Sequence, residues 1–237
     1  NSLELVDDEF IGRGPSKDVF ISKFNPDGTK DWTRLLGSRG GDIGNAITTG
    51  SDGSIYITGN TERSPSDFEE GDLNIGFDIN DGWNVFISKL NTDGTKDWTK
   101  LLGSKRDYYP DPDDSGNAIT TGSDGSIYVA GSSGGDLDDQ TNSGSSDAFI
   151  SKFNPDGTKD WTRLLGSNED DYGNAITTGS DGSLYIAGTT EGDLDGQTNS
   201  LELVDDEFIG RGPSKDVFIS KFNPDGTKDW TRLLGSR

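Results

Sequence analysis

Residues 1–39 return unchanged as residues 199–237, so the chain overlaps itself at a period of 198 residues. An echo of that length is read either as a window on a longer periodic array or as one end copied onto the other. Repetition constrains this fold more than composition does, because a unit used many times must bury its apolar surface against its own neighbours. A shorter period lies inside. The segments DVFISKFNPDGTKDWTRLLGS from Asp18, NVFISKLNTDGTKDWTKLLGS from Asn84 and DAFISKFNPDGTKDWTRLLGS from Asp147, with the first again from Asp216, set Trp32, Trp98, Trp161 and Trp230 at spacings of 66, 63 and 69 residues. A second block, GNAITTGSDGS followed by a Tyr strand, begins at Gly44, Gly116 and Gly173.

Each block reads as a β-hairpin. In Asn25-Pro26-Asp27-Gly28 the proline presets φ and the glycine accepts a left-handed backbone, which together give a type I turn followed by a bulge. That turn predicts Lys23 opposite Asp31, Ile21 opposite Thr33 and Val19 opposite Leu35. The other side then carries Phe20, Phe24, Trp32, Arg34 and Leu36. Large apolar groups on both sides require both to be covered. In the second block, strands around 46–49 and 55–58 are joined through Gly50-Ser51-Asp52-Gly53. Four short strands per repeat, apolar on both faces, suit a propeller blade sandwiched between two others. No segment keeps a helical apolar period.

Composition narrows the function classes. Acidic residues number 43 and basic residues 21, and the formal charge of −22 repels nucleic-acid phosphates and anionic lipid surfaces. No apolar run is long enough to span a bilayer. Cys and His are both absent, which removes disulfides, thiolate chemistry, His- or Cys-based zinc sites and Ser-His or Cys-His nucleophilic pairs.

The D-[AV]-F-I-S-K segment, the Trp strand ending in Leu-Gly, the G-N-A-I motif and the D-G-S-[IL]-Y strand together resemble the bacterial β-propeller repeat labelled SBBP. The resemblance runs through most of residues 18–236. It implies an all-β chain of tandem four-stranded antiparallel blades, about three and a half here, as part of a propeller or as an open stack. The repeats divide as an inter-blade loop at 1–17, repeats at 18–83, 84–146 and 147–215, and the first half of a fourth at 216–237. Such repeats occur in bacterial secreted and surface proteins, so the expected location is the cell exterior and the expected role a non-catalytic structural or adhesive scaffold. Two other roles stay open: a carbohydrate-binding propeller with one site per blade, and a filament subunit built of 198-residue units. Blade-to-blade contacts make self-association an expected partner mode, with glycans a second.

Calcium is the cofactor that the residues suggest. Asp72, Asp136, Asp138, Asp193 and Asp195 stand in Gly-Asp-Leu-Asp or Gly-Asp-Leu-Asn loops, which offer the hard oxygen donors that calcium takes. Asp78, Asp81, Asp205, Asp206 and Glu207 add oxygens nearby. Solvated acidic connections between blades are the alternative, and no loop completes an EF-hand. Paired carboxylates also serve glycosidases, but a catalytic constellation is asymmetric whereas every block here is copied. The repeated tryptophans suit either packing between blades or a sugar site. Trp83, Tyr108 and Tyr109 fall in irregular segments and are the candidate exposed ligand contacts.

Overall fold

The Asn-Pro-Asp-Gly and Asn-Thr-Asp-Gly tetrapeptides close hairpins in the computed structural model, which describes residues 17–38, 40–62, 82–104, 113–199 and 215–235. At the first turn the Gly28 amide donates to the Asn25 carbonyl at 2.8 Å, and Gly28 sits at φ +83°. The Asp27 carboxylate accepts the Thr29 amide at 2.9 Å, which satisfies a turn donor locally.

Fourteen strands and no helix occur among the described residues. They are β1 (Val19–Phe24), β2 (Lys30–Leu36), β3 (Asp42–Thr49), β4 (Ile55–Glu62), β5 (Trp83–Leu90), β6 (Lys96–Leu102) and β7 (Asp114–Thr121). The series continues with β8 (Ile127–Ser133), β9 (Asp147–Phe153), β10 (Lys159–Leu165), β11 (Asp171–Thr178), β12 (Leu184–Thr190), β13 (Asp216–Phe222) and β14 (Lys228–Leu234). β1 and β2 form a two-stranded sheet; β3–β6, β7–β10 and β11–β14 form three four-stranded antiparallel meanders. The chain is therefore all-β, with three complete blades preceded by half of one.

The sheets are out of phase with the sequence repeats. Each complete blade takes its two inner strands from the second block of one repeat and its two outer strands from the first block of the next. β12 pairs with β13 across residues 191–215, with Leu184 opposite Phe222 and Thr190 opposite Asp216. Consecutive repeats are thus laced together by backbone hydrogen bonds as well as by packing.

The hairpin register differs from the sequence expectation by one residue. Lys23 lies opposite Trp32, Ile21 opposite Arg34 and Val19 opposite Leu36, whereas Phe24 lies opposite Lys30. Asp31 is the extra residue of a bulge, and a one-residue slip carries every later side chain to the other face. The Lys23–Asp31 ion pair forms nonetheless, at 2.8 Å between diagonal neighbours. The bulge puts Trp32 beside Val19 and Ile21, and leaves Phe20 opposite Leu35 on the reverse face.

These two faces build the core. Val19 and Ile21 of the half blade pack with Phe86, Leu90 and Leu101 of the next blade. Val85 and Ile87 of that blade pack in turn with Phe149 and Phe153, and Ala148 and Ile150 pack with Phe218 and Phe222. Every interface thus sets the Val/Ile/Trp face of one blade on the Phe/Leu face of its successor. The inner strand β7 packs on β3, and β11 on β7.

Candidate functional site

The contact between blades is where the repeated chemistry converges. Trp32 on β2 lies against Gly94 in the β5–β6 turn, with ring atoms 3.0 Å from the place a Cβ would occupy. Trp98 meets Gly157 at 3.0 Å and Trp161 meets Gly226 at 2.8 Å in the same way. These glycines have φ near +80°, so a side chain is excluded both by conformation and by the ring. The residue two places after the tryptophan extends the contact: Arg163 donates from Nε to the Gly226 carbonyl at 2.9 Å, and its guanidinium lies 5.4 Å from the Trp161 ring centroid. Each tryptophan within a complete blade also meets a tyrosine of the same sheet, Tyr56 with Trp98, Tyr128 with Trp161 and Tyr185 with Trp230, at centroid distances of 6.2, 6.1 and 6.3 Å. The indole N–H groups of Trp32, Trp98 and Trp161 are buried without an acceptor. Packing between blades, one of the two roles open to these tryptophans, is the one their geometry serves.

Closer to the inner strands, Asn45 donates to the Gly116 carbonyl and Asn117 to the Gly173 carbonyl, both at 3.0 Å. Thr121 and Thr178 return the contact, donating to the Thr49 and Thr121 carbonyls at 3.1 Å. The Asn of the G-N-A motif is the extra residue of a bulge in each inner strand, which aims its amide sideways at the next blade.

Two of the loops singled out for calcium, around Asp138 and Asp195, close an edge. Leu137 and Gln140 bridge a tight turn with Asp138 and Asp139 at positive φ, and Leu194 and Gln197 do the same around Asp195 and Gly196. The Gln140 side chain donates to the Thr162 carbonyl and accepts the Leu164 amide at 2.9 Å, so one amide group imitates a neighbouring strand along β10. Gln197 repeats this on Thr231 and Leu233 of β14. Asp138 receives the Lys159 ammonium and the Thr162 hydroxyl, and Asp195 receives Lys228 and Thr231. Asp136 and Asp193 accept the Asn142 and Asn199 amides at 2.8 and 2.9 Å. Among the described residues no three acidic side chains gather as a metal cluster. Asp72, Asp78, Asp205, Asp206, Glu207, Tyr108 and Tyr109 lie outside the described residues, as does Asp81. Trp83 begins β5 opposite Glu62, half-buried, its amide donating to Asp113 at 3.2 Å.

A set of buried carboxylates escaped the sequence reading. Asp42, Asp114 and Asp171 open the inner strands and accept the amide and hydroxyl of Ser38, Ser104 and Ser167 at 2.6 to 3.0 Å. Burial pushes all three carboxyls above their ordinary range, Asp114 to about 6, and the serine contacts only partly offset it. The signal was present in D-x-G-N-A, which recurs at 42, 114 and 171.

Comparison with known families fits this geometry. Residues 31–62, 97–138 and 160–195 match the SBBP beta-propeller repeat. The chain carries SBBP repeats. Each match starts on the outer strand of one blade and ends at or beyond the second strand of the next, so the SBBP unit itself spans the blade contact. Residues 122–162 also match a beta-propeller domain of unknown function, DUF5122. Among curated proteins, the regulatory protein FlaEY of Caulobacter vibrioides is 29% identical over 188 residues, which are 75% of this chain and 18% of FlaEY. The chain thus spans less than a fifth of that relative. A crystal structure of a protein of unknown function from Bacteroides caccae aligns with 89% of this chain and 73% of its own, at 9% identity and a TM-score of 0.38.

Proposed function

We propose that the chain is a non-catalytic scaffold of a bacterial surface or secreted protein, whose work is to hold stacked blades and the loops between them in fixed order. One observation carries this reading. The tryptophans, arginines, asparagines, glutamines and aspartates that recur among the described residues are spent on blade contacts, strand edges and turn closure, in the same way in successive blades. Catalysis needs one asymmetric set of groups around a reacting atom, and the recurring contacts supply none. Support for the exterior location comes from the SBBP repeats and the acidic, cysteine-free composition.

The test is twofold. Incubation with panels of glycoside, ester and peptide substrates is expected to give no turnover, and turnover abolished by one Asp→Asn substitution would overturn the non-catalytic reading. Fractionation of the producing cell is expected to place the protein in the medium or at the surface, and a wholly cytoplasmic location would remove the surface assignment.

A further inference from the structure

Nine Asp-Gly pairs occur in the sequence, eight of them within the described residues. The dipeptide has a chemistry of its own. An aspartyl carboxyl and the nitrogen of the next residue close a five-membered imide, and glycine, with no side chain, hinders that approach least. In an unfolded chain the pairs stand nearly equal, so the fold decides which of them reacts.

Seven pairs are locked twice. In every hairpin turn the glycine takes the fourth position, where its amide is the hydrogen bond that closes the turn. The seven turn glycines, from Gly28 to Gly226, donate to the carbonyl three residues back at 2.8 to 3.1 Å. The carboxylate is clasped from the other side. Asp27 accepts the Thr29 amide at 2.9 Å and its hydroxyl at 2.6 Å, and Asp52 accepts those of Ser54 at 2.9 and 2.8 Å. The other five turns repeat one pattern or the other. The Thr29 and Ser54 contacts hold the Asp27 and Asp52 carboxyls below their ordinary range. An ionised carboxylate with its oxygens engaged is a poor electrophile.

Asp195-Gly196 is placed differently. Leu194 and Gln197 exchange both backbone hydrogen bonds at 3.0 Å around a two-residue turn, with Asp195 at φ +53° and Gly196 at φ +72°. Glycine is third here, and its amide closes nothing and meets no backbone acceptor among the described residues. Both residues are exposed. Lys228 and Thr231 hold the Asp195 carboxylate, and an ion pair this open to solvent is a weak tether. The sister turn has the same bridge and the same backbone, but Asp139, at φ +59°, stands where Gly196 does.

We propose that Asp195-Gly196 is a site of spontaneous isoaspartate formation, and that the seven hairpin pairs are protected by the position their glycine takes. The Gly196 nitrogen bonds to the Asp195 Cγ while the carboxyl hydroxyl leaves with the amide proton as water. Water then reopens the imide at either carbonyl, and opening at the main-chain one leaves a β-linked residue. That product carries an extra methylene in the main chain and its carboxylate on Cα. The Leu194–Gln197 turn and the Lys228 clasp are lost together, so β14 loses its Gln197 cap while β10 keeps Gln140.

Prolonged warm incubation of the folded chain at neutral pH tests this, read by isoaspartyl methyltransferase labelling and electron-transfer fragmentation of its peptides. Asp27, Asp156 and Asp225 lie in one repeated sequence, Phe-Asn-Pro-Asp-Gly-Thr-Lys, and are read as their mean. Isoaspartate at 195 is expected to exceed that at each hairpin turn by about fivefold or more, the factor that one turn hydrogen bond of ordinary strength supplies. In denaturant that excess is expected to vanish. Gly196→Asp copies the sister turn, and it is expected to melt with the parent and to abolish the product. No product at 195, as much product at a hairpin turn of the folded chain, or an excess at 195 that persists undiminished in denaturant would each overturn the proposal. The folded and denatured measurements use the parent chain, so they decide the matter whether or not the variant folds.

Discussion

The hairpins β1–β2 and β13–β14 have identical sequences and nearly opposite surroundings. Both form the same turn, the same bulge and the same ion pair, at 2.8 Å for Lys23–Asp31 and 3.0 Å for Lys221–Asp229. Phe20 is nevertheless in solvent while Phe218 is 0% exposed, and Val19 is 7% exposed while Val217 is open. Local sequence sets the hairpin, and the neighbouring blade sets which face is buried. Among the described residues β1–β2 packs on the blade that follows it, and β13–β14 on the blade that comes before it. The comparison holds everything constant except the neighbours, and the burial difference belongs to them.

Truncation should expose this contrast most strongly at the phenylalanines. Phe218→Ala is expected to cost about 3–5 kcal/mol in urea denaturation, as core aromatic truncations do, and Phe20→Ala to stay within about 0.5 kcal/mol. Equal losses at the two sites would break the comparison.

A second contrast lies among the carboxylates that open the inner strands. Asp114 stands between two complete blades, and burial pushes its carboxyl from 3.8 to about 6. Between those values the folded state keeps a proton that the unfolded state has released, so stability falls as pH rises through the window and stays lower above it. A gain of roughly 3 kcal/mol on going from pH 7 to about pH 3 is the upper scale for one such shift, a little under half of it present by about pH 5. Asp114→Asn is expected to flatten that gain more than Asp42→Asn or Asp171→Asn does, since Asp114 alone is pushed as far as about 6. Melting curves at a series of pH values decide it, and an unchanged pH profile in Asp114→Asn would contradict the assignment.

On the opposite face the contrast reverses. Val19→Ala is expected to cost roughly 2 kcal/mol for the buried methyl groups and Val217→Ala much less. The smallest effect expected is at the edges. Gln197→Ala removes two hydrogen bonds from β14 and is expected to cost about 1 kcal/mol, while β2, in a chain with two glutamines, has no such cap to lose. Thioflavin-type strand-addition assays should show Gln197→Ala and Gln140→Ala more prone to edge pairing than the parent.

Much of this was legible in the sequence. Asn-Pro-Asp-Gly announces its turn because proline and glycine each fit one position of it, and the strand count follows from counting such turns. Register was not legible, because the bulge at Asp31 leaves no mark in a segment where polar and apolar residues alternate on either reading. The phase of the blades was hidden too: each hairpin is apolar on both faces, so the pattern does not say whether it joins the block before or the block after. Trp32 and its equivalents could be narrowed to packing or sugar contact, and only the turn glycine in the next repeat separates the two. Gln140 and Asp114 were passed over, one as a loop residue and the other among 43 acids, although D-L-D-x-Q-T-N and D-x-G-N-A both recur. Recurrence marked these residues, and what they touch became visible only with the blades in place.

The most direct test of the claim that neighbours, and not local sequence, divide the two hairpins is residue-resolved hydrogen exchange by NMR. Segmental isotope labelling separates residues 19–24 from their copies at 217–222. The β13 amides that face β12 are expected to exchange far more slowly than the same amides in β1, whose corresponding edge pairs with no strand among the described residues. Equal protection of the two copies would contradict the account.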